Sequence, residues 1–109
     1  MLRIALTSFP DEEAAANLAR EIVEERLAAC ATILPRARSI YRWEGATQDS
    51  QEVLVLFKLA ASTYPDFARK LLAGHPYETP ELLSWDAGSA PDYLAWALDQ
   101  CHKTSLGPV

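Results

Sequence analysis

The sequence predicts an α+β sandwich, on three observations. Two apolar runs, 31–45 and 51–60, face each other across a polar break and read as paired strands. Shorter apolar runs at 3–8 and 81–86 read as two more strands. Three stretches with apolar residues at helical spacing alternate with these runs or follow them.

Taken in order, residues 3–8 form a short strand, ended by Ser-Phe-Pro-Asp, where Ser8 or Asp11 caps a helix and Pro10 is tolerated only in its first turn. Ala15, Leu18, Ala19, Ile22, Val23 and Leu27 form the apolar stripe of that helix, which is expected to run to about Ala29. Pro35 cannot donate to a ladder, so a bulge or edge position is expected between Ile33 and Arg38. Beyond it Ser39, Tyr41 and Trp43 alternate with Arg38, Ile40, Arg42 and Glu44. Ala46-Thr47-Gln48-Asp49-Ser50, after Gly45, is too polar to bury and reads as the loop of a long hairpin. The returning strand puts Val53, Val55, Phe57 and Leu59 on one face and Glu52, Leu54, Leu56 and Lys58 on the other, so it needs cover on both sides.

A second helix starts with Ser62 as cap and Pro65 in the first turn, carries Tyr64, Phe67, Ala68, Leu71 and Leu72 on its stripe, and closes at Gly74. His75-Pro76-Tyr77-Glu78-Thr79-Pro80-Glu81 is a stiff loop, because two prolines forbid helix and central strand. After the fourth strand, Ser89-Ala90-Pro91-Asp92 reads as a capping box opening a last helix with Leu94, Ala97, Leu98 and Cys101 on its face. The element order is that of a ferredoxin-like β-α-β-β-α-β sandwich with an added C-terminal helix. One domain spans 1–109, with a frayed tail at 104–109. Two helices cover one sheet face; the other carries Tyr41, Trp43 and Leu54 or Val53 uncovered, which predicts self-association through that face and the hairpin.

Composition narrows the function. A net charge of −5 excludes a general nucleic-acid binder, since such binding rests on cationic surface, and Arg36, Arg38 and Arg42 read as a solvated, edge-protecting face. The apolar stretch in MLRIALTSF is too short for a signal-peptide core plus cleavage region, and no run approaches the ~18 apolar residues of a membrane span, so a cytoplasmic protein is expected. Cys30 and Cys101, without metal or redox spacing, read as buried reduced thiols. Four scattered glycines build no phosphate loop, and His75 and His102 lack a nucleophile set, so no enzyme is expected. The turn Thr7-Ser8-Phe9-Pro10-Asp11 is acidic and proline-stiffened, a setting that repels phosphate.

Four motifs, Arg26-Leu27-Ala28-Ala29-Cys30-Ala31, Ser39-Ile40-Tyr41-Arg42-Trp43-Glu44-Gly45, the loop from His75 to Glu81, and Asp92-Tyr93-Leu94-Ala95-Trp96, closely resemble the CutA divalent-cation-tolerance family. The resemblance extends from Arg3 to about Cys101. It implies a ferredoxin-like subunit, a very stable homotrimer joined by edge strands, a bacterial cytoplasmic location, and a role in tolerance of copper and other divalent cations. It also implies an architectural likeness to PII signalling trimers, which bind small effectors in clefts between subunits. Family members credited with copper binding carry a cysteine at the end of the first strand and two adjacent histidines before the Pro-Tyr; these positions here are Thr7, Gly74 and His75. A weak Cu(II) site on His75 with Glu78 or Glu81 is one expectation; a loop imidazole bonded to backbone is the other. For a small-ligand cleft between subunits the expected residues are Tyr41, Trp43, Lys58, His75, Tyr77 and Glu81. The plain alternatives are trimer packing for Tyr41 and Trp43 and an interface ion pair for Lys58 and Glu81. A trimeric scaffold or PII-like module without a metal role is the competing function.

Overall fold

The computed structural model describes residues 1–101. The expected frayed tail at 104–109, and His102, lie outside the described residues. Four strands, β1 (Leu2–Phe9), β2 (Cys30–Trp43), β3 (Ala46–Ala60) and β4 (Leu82–Ala87), form one antiparallel sheet in the order β2-β3-β1-β4. Helices α1 (Glu12–Glu24) and α2 (Tyr64–Gly74) follow β1 and β3, and α3 (Pro91–Gln100) follows β4.

The core lies between the sheet and the first two helices. Val53, Val55, Phe57 and Leu59 point into it at every second position of β3, and Ile22, Phe67 and Leu71 descend from α1 and α2. Phe57 and Phe67 meet edge to face with centroids 5.0 Å apart. The paired register places Leu6, Leu54, Leu56, Leu83 and Trp85 on the opposite face. There Leu83 and Trp85 remain about half exposed. Helix α3 contacts β1 and β3, burying Ala97 and Cys101, and its Tyr93 hydroxyl lies 3.6 Å from Cys30 Sγ.

Several boundaries differ from expectation, each for a local reason. The hairpin has no 46–50 loop: Glu44 and Gly45, at φ +53° and +83°, make a two-residue turn, and pairing resumes at Trp43↔Ala46. Polar residues are tolerated there because the hairpin projects from the body, giving a molecule 49 × 30 × 23 Å, and Arg38 clasps Asp49 through two bonds of 2.9 and 2.7 Å. Helix α1 stops at Glu24 instead of about Ala29, since Arg26 is left-handed (φ +62°) and the Ala29 amide joins the ladder at Lys58 O. Asp11 is its cap, accepting the Ala14 amide at 2.8 Å. Ser62 does not cap α2; it lies in a 3-10 turn, Ala61–Thr63, whose buried Thr63 hydroxyl donates to Ala60 O and Leu27 O. The expected capping box before α3 makes no side-chain cap bond. Leu72 and Leu98 fall off their buried stripes, and Cys30 is only partly covered, while Leu71 and Cys101 are buried. The expected bulge is present as a register shift between Leu34 and Ala37, with Arg36 at φ +64°.

Candidate functional site

His75 organises the loop that follows α2. It is the extended C-cap residue of that helix, 9% exposed, and its ring stacks on Phe9 at 4.4 Å. The Tyr77 amide donates to Nδ1 at 3.1 Å. Nε2 must therefore carry the proton, and it donates to Ser8 O at 2.8 Å with Thr7 Oγ1 at 3.3 Å as a second neighbour. The imidazole is neutral, with both nitrogens engaged. Burial pushes its pKa below the ordinary histidine value, against the opposing pulls of Ser8 O and the Glu52 carboxylate.

The Tyr77 hydroxyl donates to Glu52 Oε2 at 2.7 Å, tying the loop to β3. Burial, then the bond to Glu52, push the Tyr77 phenol well above its usual range, so it stays a donor. Around this bond opens a depression of about 730 Å³, walled by Tyr41 and Trp43 from β2, Glu52 from β3, and Tyr77, Glu78, Thr79 and Glu81 from the loop, with Ser8, Ser39 and Ile40 at its floor and margins. Strand pairing explains the grouping: Ala37 opposes Glu52 and Tyr41 opposes Gln48, so beyond the bulge Tyr41 and Trp43 share a face with Glu52.

Within one chain the fold thus unites Tyr41, Trp43, Tyr77, Glu78 and Glu81. It does not bring Lys58 to them. Lys58 lies six residues further along β3 than Glu52, roughly 20 Å at about 3.3 Å per residue, and its ammonium donates to Thr32 Oγ1 at 2.8 Å. His75 lies behind the depression, supporting Tyr77 from the core side. Sequence reasoning missed Ser8, Ser39, Ile40, Thr79 and, the one charged residue among them, Glu52. Its position on the outer face of β3 was legible, but the tyrosine that fixes it comes from a loop whose path no periodicity predicts. Among the described residues no group of three His, Cys, Asp or Glu side chains is placed to hold a metal ion.

Fold and site define a class: a small α+β domain with a largely bare sheet face and a ligand-sized depression walled by aromatics and carboxylates beside a projecting hairpin. Residues 3–100 match the family model described as CutA1 divalent ion tolerance protein, and the chain belongs to that family. It is 40% identical over 97 residues to the divalent-cation tolerance protein CutA of Thermus thermophilus, covering 88% of this chain and 94% of that protein. It is 44% identical over 94 residues to the protein of the same name from Pectobacterium atrosepticum, covering 85% and 86%. The solved structure of the divalent cation tolerance protein from Thermus thermophilus superposes with a TM-score of 0.88 at 38% identity, over 94% of this chain and 100% of that one. The solved CutA of Xylella fastidiosa gives 0.89 at 35% identity, over 93% and 98%.

Proposed function

We propose that the chain works as a non-catalytic, cytoplasmic, homotrimeric divalent-cation-tolerance protein, built from ferredoxin-like subunits, that binds a small effector in clefts at its subunit seams. The observation carrying this reading is that the depression and the bare apolar face adjoin on the same side of the sheet. Leu34, Tyr41, Trp43, Leu83 and Trp85 are all between 42% and 52% exposed there, an apolar patch of the kind that marks an association surface. Association that covers this face deepens the depression into a cleft. The strand order β2-β3-β1-β4 leaves both β2 and β4 as edges for such pairing. No helix among the described residues is long and apolar enough to cross a membrane.

Copper at His75 fits this arrangement poorly. Nδ1 already accepts the Tyr77 amide and Nε2 carries the proton bonded to Ser8 O, so a metal gains a lone pair only by breaking one of these bonds. This favours a PII-like module or scaffold without a metal role as the second reading. Sedimentation at micromolar concentration tests the assembly: a single trimeric species is expected, and a well-behaved monomer removes the proposal. Calorimetric titration with Cu(II) tests the metal: heat that vanishes in His75→Gln while the loop amides stay in place would restore copper to this residue, whereas heat unchanged by the substitution places any metal elsewhere.

A further inference from the structure

Resting on the reading of the depression as a ligand site, we propose that its occupant is a small organic cation of the alkylammonium or quaternary ammonium type. It is held against the faces of Tyr41, Trp43 and Tyr77, with Glu52, Glu78 and Glu81 balancing its charge. Three aromatic rings and three carboxylates line the concavity, and among the described residues no lysine, arginine or histidine side chain is part of the lining. Aromatic faces attract cations, tryptophan most strongly, and the attraction grows as the cation loses water. The same three carboxylates repel an anion from any position in the depression.

Two neighbouring cations are committed elsewhere. Arg38 is paired with Asp49, and Arg42 reaches back to Gly45 O at 3.4 Å; strand alternation turns both away from the Tyr41 and Trp43 face. Glu52 is fixed by the Tyr77 hydroxyl through one of its oxygens, a preorganised negative group at the wall of the cavity. A hard metal ion takes six or more oxygen ligands, waters among them, and is not held by ring faces, whereas the faces of Tyr41, Trp43 and Tyr77 suit an alkylated cation. The volume, about 730 Å³, falls within the range of small-molecule pockets.

The test is titration of the full chain with tetramethylammonium, read from the indole N–H resonance of Trp43, beside parallel titrations with tert-butanol, acetate and Cu(II). Tetramethylammonium is expected to shift that resonance saturably where tert-butanol, of similar shape and no charge, does not. Trp43→Leu, read from the loop amides, should weaken binding about fivefold. The exposed Glu81→Gln, which leaves the hairpin untouched, should weaken it about threefold, and circular dichroism of each variant establishes that it folds. Acetate binding as tightly as tetramethylammonium, or tert-butanol matching it, overturns the ligand class while the cleft reading stands. Silence from all four probes overturns the cleft reading, and this inference with it.

Discussion

The neutral, doubly bonded His75 makes stability fall on mild acidification, by an amount the geometry bounds. In the folded chain the proton on Nε2 is held by Ser8 O while Nδ1 receives the Tyr77 amide, so a second proton on Nδ1 meets a donor instead of an acceptor. Burial acts in the same direction, and the folded pKa lies below the unfolded value near 6.5. The unfolded state thus binds more protons, and stability rises with pH across this window. The contribution is complete above the unfolded value. It is lost as pH falls from about 6.5 towards the lower folded value, at no more than about 1.4 kcal/mol per pH unit. Guanidinium unfolding at one fixed protein concentration, from pH 7.5 to 5.0, measures it, with His75→Gln as reference to subtract the carboxylates and His102. The wild type should lose more stability than the variant between pH 6.5 and 5.5, by no more than about 1 kcal/mol. Parallel pH profiles for the two proteins would refute the assigned tautomer.

Tyr77→Phe removes the hydroxyl that clasps Glu52 and should cost about 1 kcal/mol in chemical denaturation, the carboxylate regaining water; a double-mutant cycle with Glu52→Gln should recover most of that as coupling. Gly45→Val places a β-branched residue at φ +83° in the two-residue turn, with no steric neighbour to blame, and should cost about 1–2 kcal/mol, seen as a lower denaturation midpoint. Leu71→Ala, from a wholly buried position, should cost about 2–5 kcal/mol, while Leu72→Ala, 48% exposed, should cost under about 1; equal losses would mean that the face of α2 bearing Leu72 is covered by a partner.

Period-two and helical patterning made most of the architecture legible, because burial on one side of each element leaves its mark on every second or every third and fourth residue. Val53, Val55, Phe57 and Leu59 belong to the core as their alternation requires, and Pro35 forced the irregularity observed between Leu34 and Ala37. What escaped were features decided by backbone conformation and not by polarity. Glu44-Gly45 carried the turn signal, yet the polar run behind it masked the turn; a projecting ribbon wetted on both sides has no apolar pattern to betray that it is strand. Arg26 likewise ended α1 early by adopting a left-handed cap that its side chain does not advertise.

The candidate site was half legible for a related reason. Aromatics and carboxylates were identifiable as residue types, but their grouping depends on how the loop leaves α2, and that exit is fixed by one buried side chain. His75 stacks on Phe9, grips the end of β1 through Ser8 O, and receives the Tyr77 amide, so the loop cannot pivot without exposing an unpaired polar group. Tyr77 is in turn held where its hydroxyl meets Glu52. A residue type that resembles a metal ligand in the sequence is, in the fold, the bracket that places two walls of the depression. Loss of ligand response in His75→Ala would therefore be expected without any metal at the imidazole. His75→Gln with the loop amides in place separates the two roles: an organic cation still bound there identifies support, whereas Cu(II) binding that the same substitution abolishes identifies ligation.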